Sequence, residues 1–393
     1  MSDKIDLTSM NHGVLKKQHL TTDSEGEDIL EVVKDIIGLH ATEPLSPYLS
    51  LFARMCDFKR SELEDRWEGK KLLGKVRFVR KTLYLLPKES LPAAFAATQS
   101  MLIPRMEGYL QHLGLSPEDY KRHSQKILAL FPEEGLTTKD VKARLQGIQH
   151  ISPLLNLMCD QGLLIRGLPR SGWRSNLHTY YTMQDYFPDL ELDRIAEEEA
   201  RRLIVSRYLE VFGPVTLEDI SWWTGFRKGE IKGLLRQREQ DVCEIEVDDL
   251  QGKYWMLAAD RLRMESERAS GAAEVSLLPL LDPYLMGYKD RERFLRLDHF
   301  PYVYDRTGNA TSVILVAGKV QGIWDYKAGK DRFLKLFWLD KPSRRIQDII
   351  MAKAASAGKF LYDSTVDVKV CSSMTPLAKR AMGGFLAPLK DDE

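Results

Sequence analysis

The chain has 393 residues with 57 basic and 57 acidic side chains, and it is 44% hydrophobic, 29% charged and 9% aromatic, which excludes fibrous and disordered classes and suits roughly two to four globular domains. Its longest apolar runs, such as 275–281 and 313–317, fall well short of the roughly 18 residues a membrane span needs. No basic stretch leads into an apolar one at the N-terminus, so no membrane contact, no secretory leader and a cytoplasmic location are expected.

Cys56, Cys159, Cys243 and Cys371 are too far apart for a CxxC metal site or a dense disulfide framework, so buried free thiols and no metal are expected. The net charge of zero hides local unevenness. Lys70, Lys71, Lys75, Arg77, Arg80 and Lys81 form a basic run, whereas 185–199 carries seven carboxylates: Asp185, Asp189, Glu191, Asp193, Glu197, Glu198 and Glu199. Either run alone reads as a solvated face, yet basic faces also suit phosphate contact.

In chain order, the first twenty or so residues look loosely held. Ser24 with Glu27 then makes a capping box for a helix with Ile29, Leu30, Val32, Val33, Ile36 and Ile37 at helical spacing, stopped by Gly38. Residues 39–47 hold Pro44 and Pro47 and are expected to form a rigid loop, followed by a helix over 48–55. Ser61 with Glu64 opens another helix to about 73, and 76–86 is β-rich. Helices followed by a hairpin suggest a winged helix. The pattern repeats with helices over 138–145 and 152–162, strands over 163–166 and 178–183, and a wing between them. A third copy has a helix over 194–211, a Thr216/Asp219 capping box, a turn at Gly225, a basic helix over 228–238 and strands within 242–257. Beyond 270 the chain is β-rich, with a turn at Gly318 and Lys319 and a helix over 343–357.

The expected fold is α+β: winged helices over 1–100, 101–190 and 191–268, then a β-rich α+β domain over 269–393. No Gly-rich phosphate loop, HExxH or GxSxG occurs, which removes the common nucleotide and hydrolase signatures. Winged helices alone argue only for nucleic-acid or protein contact.

Leu39-His40-Ala41-Thr42-Glu43-Pro44, leading into Ser46-Pro47-Tyr48 and on to Arg54, resembles the catalytic loop and following helix of the AlkZ/YcaQ-type winged-helix DNA glycosylases. Arg80-Lys81-Thr82-Leu83-Tyr84 is similar to that family's Arg-Gly-Thr-Leu-His element. Gly213 to Gly225, Leu277 to Pro283, and Gly318 to Trp324 resemble later landmarks in the same order. The resemblance implies three tandem winged helices and a β-rich domain around a DNA-binding surface. It also implies release of alkylated purines, with interstrand crosslinks unhooked by some members. The family's loop motif is Gln-x-Gln or Gln-x-Asp; here His40 and Thr42 stand at those positions.

An N7-alkylated guanine is cationic and already a good leaving group, so positioning a water and supporting an oxocarbenium ion can suffice. Neutral His40 would accept a proton from that water, Thr42 would orient it, and Glu43 is a substitute carboxylate. In an extended loop His40 and Thr42 would face one cavity, with Ala41 turned back into packing. The bland alternative is a histidine at a helix end and ordinary turn chemistry. Arg54 is expected either to contact phosphate or to hold the loop through a carboxylate. Arg80, Lys81, Arg166, Arg170 and Arg174 suit phosphate, and Trp173 a wedge at the wing tip, although packing is the commoner use of such a tryptophan. Asp282, Trp222, Trp223 and Trp324 are expected to be structural.

The expected function is therefore base-excision repair by a monofunctional glycosylase acting on alkylated double-stranded DNA, a monomer without cofactor. No lysine occurs in the loop to form a Schiff base, although one could arrive from elsewhere in the fold. The rivals are a non-catalytic DNA-binding regulator reading DNA through Arg227, Lys228 and Arg236, and a protein that sequesters a DNA-alkylating compound.

Overall fold

The computed structural model describes residues 4–266, 274–326 and 332–377. It is a mixed α/β structure whose chain divides into two compact units, one of Ile29–Tyr48 and Lys59–Arg207, the other of Met1–Asp28, Leu49–Phe58 and Tyr208–Glu393. No helix among the described residues is long and apolar enough to cross a membrane.

The first unit is built on a six-stranded sheet in the order Leu39–His40, Leu83–Pro87, Leu73–Arg77, Leu164–Pro169, His178–Thr182 and Leu136–Thr137, with all neighbours antiparallel. The expected helix of 29–37 runs over Ile29–Asp35 and ends where Ile37 and Gly38 take positive φ. A Cβ at Gly38 would lie 2.3 Å from Leu86 Cδ2, so only glycine fits that turn against the sheet. Ser24 does not cap this helix. Its hydroxyl is bound to Thr21 in a short 3-10 turn, Thr22–Ser24. Ser61 is not a cap either: the helix Arg60–Glu64 starts one residue earlier and passes into a π turn, Asp65–Gly69, which places Trp67 in the core.

The Leu91–His112 and Pro117–Leu128 helices, the latter capped by a Ser116/Asp119 box, precede a Thr138–Arg144 helix capped by a Thr137/Asp140 box and the Ile151–Asp160 helix. Leu110, Ile127, Leu136, Val141, Leu154, Met158 and Leu164 form their shared core. Leu154 and Met158 stand four apart on one face of the Ile151–Asp160 helix, and the burial of all these side chains sets the packing.

In the other unit the described residues from Lys4 onward are held in regular structure rather than loose. Lys4–Ile5 adds a parallel strand to the Val242–Val247/Tyr254–Leu257 hairpin, and Asp6 caps the helix Leu7–Lys17, which buries Met10, Val14 and Leu15. The Thr216/Asp219 box caps Leu217–Thr224 as expected, and Gly225 closes that helix in the left-handed conformation before Lys228–Arg236. The C-terminal sheet has the order Val275–Leu278, Val313–Val316, Lys319–Tyr326, Phe333–Trp338 and Asp367–Val370; only its last pair is parallel, joined through the helix Arg344–Tyr362. Cys159 and Cys371 are buried free thiols, but Cys56 is exposed and donates to Glu25 at 2.5 Å.

Candidate active site

The loop of 39–47 leaves the edge of the six-stranded sheet. Leu39 pairs with Leu85 and His40 with Tyr84, and Ala41 N donates to Leu83 O at 2.7 Å. His40 is 2% exposed, with its ring 5.1 Å from that of Tyr84, and its Nδ1 has no hydrogen-bond partner among the described residues. Burial, then the charges of Arg80 and Lys75, push its conjugate acid down to about 3. His40 is therefore held neutral at physiological pH.

His40 and Thr42 do not share an environment. Thr42 is exposed, and its Oγ1 accepts from Leu83 N at 3.3 Å. Glu43 is half-buried, and burial raises its carboxyl above the ordinary range while the charge of Lys75 pulls it back. Of the three loop residues it has the proton affinity closest to that of a general base.

Beneath the loop, one lysine of the 70–81 basic run is enclosed rather than solvated. Leu39, Leu85, Lys75, Arg166, Tyr180 and Leu136 are successive cross-strand partners, one row spanning all six strands. Lys75 and Arg166 stand directly opposite each other, and each is 2% exposed. Arg166 Nη2 donates to Asn156 Oδ1 at 2.7 Å, and Nη1 is buried without a partner among the described residues. Asp160 is taken by Arg77 at 2.6 Å. His178 is held neutral, down to about 2, by burial and then by Lys75 and Arg166. Lys75 and His178 belong to no recognisable motif; the signal the sequence carries is a lysine inside a strand whose flanking positions are apolar.

Arg166 is thus a buried cation of the sheet, not a phosphate contact: no face of it reaches solvent. Arg54 is fully buried as well, and its Nη1 and Nη2 each donate to Asp282 at 2.8 Å, so of its two expected roles the structure has the carboxylate one. Arg170 is exposed but already donates to Glu134 O, Gly135 O and Asp140 Oδ2. Arg80 is half-buried and Lys81 exposed, in a hairpin turn where both take positive φ. Trp173 lies between Arg60 at 4.7 Å and Arg174 at 4.6 Å, with its ring edge-on to Tyr48 at 5.1 Å. The second hairpin loop therefore touches the residue that follows the 39–47 segment. No group of three or more His, Cys, Asp or Glu side chains that could hold a metal occurs among the described residues.

A family model described as DNA glycosylase AlkZ-like matches residues 33–354, and the chain belongs to that family. The DNA glycosylase AlkZ of Streptomyces sahachiroi is similar in structure, with a TM-score of 0.75 at 19% identity over 93% of this chain and 100% of that one. At that identity the likeness is one of fold. No curated protein matches the chain.

Proposed function

We propose that the protein is a DNA glycosylase that hydrolyses the N-glycosidic bond of N7-alkylated purines in double-stranded DNA, leaving an abasic site for base-excision repair. The observation that carries this reading is the half-buried Glu43, with its raised proton affinity, on the loop of a chain matched to the family over 33–354. Glu43 takes the proton of the attacking water, exposed Thr42 orients that water, and neutral His40 keeps the loop on the sheet edge through Tyr84. The cationic base leaves without acid assistance, and the enzyme acts as a cytoplasmic monomer without cofactor. The helix, helix, hairpin segments ending at Pro87, Thr182 and Leu257 are read as winged helices. Lys81, Arg174 and Trp173 are the groups offered to DNA, and an open site would admit bulky or crosslinked adducts.

The test is single-turnover release of 7-methylguanine from duplex DNA by wild type and by the Glu43→Gln, Thr42→Ala and His40→Ala variants. Loss in Glu43→Gln with DNA affinity kept supports the reading, and no release by a folded, DNA-binding wild type overturns it. A regulator is the second reading, favoured by the exposed Arg227, Lys228, Lys232 and Arg236 on or beside the Lys228–Arg236 helix. It requires that Arg236→Ala abolish function with Glu43→Gln silent.

A further inference from the structure

Excision by water leaves Lys75 without a task. Like charges directly opposite on neighbouring strands destabilise a sheet, and burial without a counter-ion adds to the cost. Lys75 faces Arg166 in this way in the middle of the row, and its ammonium makes no hydrogen bond or ion pair among the described residues. Its Nζ is 5.8 Å from the Trp67 ring centroid. Unlike His40 Nδ1 and Arg166 Nη1, it is not among the fully enclosed polar atoms that lack a partner. Local rules broken inside a sheet point to function. An apolar wall and an adjacent cation are the two surroundings that turn a lysine into a neutral amine nucleophile. Burial and then Arg166 bring the Lys75 amine down from 10.5 to about 7, with Glu43 offsetting part of the fall, so near neutral pH much of it is unprotonated.

We propose that Lys75 forms a Schiff base with the abasic sugar left by base removal, giving the same site a strand-cleaving lyase step; this rests on the glycosylase reading above. The loop itself contains no lysine, but the fold brings one in from the third strand of the sheet. The neutral Nζ adds to C1′ of the ring-opened sugar, forming a C–N bond while the aldehyde oxygen takes a proton. Loss of water leaves a protonated imine. The Glu43 carboxylate removes a proton from C2′, that electron pair becomes the C2′=C3′ bond, and the C3′–O bond breaks. The downstream strand departs with a 5′-phosphate. Water then hydrolyses the imine, returning the amine and leaving an unsaturated aldehyde on the upstream strand. With only 2% of Lys75 exposed, the sugar must leave the duplex to reach it. That is open to an abasic nucleotide even where the original adduct was too bulky to flip.

The experiment uses the full chain and a duplex carrying a preformed abasic site, so no prior excision is needed. Sodium borohydride is added and the covalent protein–DNA product is located by peptide mass spectrometry. The expected result is an adduct on Lys75 of the wild type and its loss in Lys75→Arg, which keeps a cation but no nucleophile. A wild type that binds the abasic duplex yet yields no adduct, or one mapped to another amine, overturns the proposal. Mapping the wild type makes the outcome independent of whether the variant folds. Release of 7-methylguanine, measured on the same preparation, judges the glycosylase reading separately.

Discussion

Replacing Arg54 by methionine tests whether this buried guanidinium serves the fold or DNA. Asp282 accepts four hydrogen bonds: from Arg54 Nη1 and Nη2 at 2.8 Å each, from Ser50 Oγ at 2.9 Å and from Tyr284 N at 2.9 Å. Both side chains of the ion pair are 0% exposed. Removing the cation strands a carboxylate with two neutral donors, and breaking a buried pair from one side costs about 3–5 kcal/mol. In Arg54→Met/Asp282→Asn no uncompensated charge remains, so the double variant should lose less than the sum of the two single losses. Urea unfolding would be followed by both fluorescence and circular dichroism, because two compact units can unfold in two steps. A loss below about 1 kcal/mol would refute the reasoning, since a buried pair cannot be broken so cheaply. So would a fall of about one in the slope of DNA affinity against salt, which would mark Arg54 as a phosphate contact.

Glu43→Gln should lower single-turnover excision by about 10²-fold or more. Because burial raises the Glu43 carboxyl, the wild-type rate should be full above its folded value and fall as pH drops through it, at a pH above that of a free carboxylate; the variant should lack this limb. His40 titrates at 6.5 when unfolded and about 3 when folded, so its contribution is present above 6.5 and lost as pH falls toward 3. Urea midpoints between pH 4 and 8 should show His40→Gln removing about 1.4 kcal/mol per pH unit of that slope. Gly74→Ala would put a Cβ 2.8 Å from Leu91 Cδ1 and 3.0 Å from Ile165 Cδ1, and should cost about 1–3 kcal/mol in the same unfolding measurement.

Elements with local causes could be read from sequence. The Thr216/Asp219 box, the Gly225 stop and the strands around residues 76–86 are each set by a few neighbouring residues. The Leu7–Lys17 helix could not be read so easily, because what holds it is distant. Asn11 donates to Arg293 O, Lys17 to Gly213 O and Asp260, and Gly13 packs against Met264. Ser24 and Ser61 have the spacing of caps, but Thr21 engages the first and the helix beginning at Arg60 bypasses the second.

The same division runs through the site. His40, Thr42 and Glu43 are adjacent in sequence and were legible as a loop motif, but their chemistry was not, because proton affinity depends on what the sheet encloses. Counted along the chain, Lys70 to Lys81 is one basic run. Folded, it divides: Lys70 pairs with Asp65 at 3.0 Å, Lys71 lies over Tyr186, Arg77 pairs with Asp160, and Lys75 is enclosed opposite Arg166. Residues 73 and 77 share the face of Lys75, while Gly74 and Val76 turn to the other, and all but Arg77 are buried. A lysine there lowers the stability of the sheet wherever its charge is unanswered. Its place in that row is a constraint that only three paired strands can reveal, which is why the proposed lyase step can be argued from the fold and not from the loop motif.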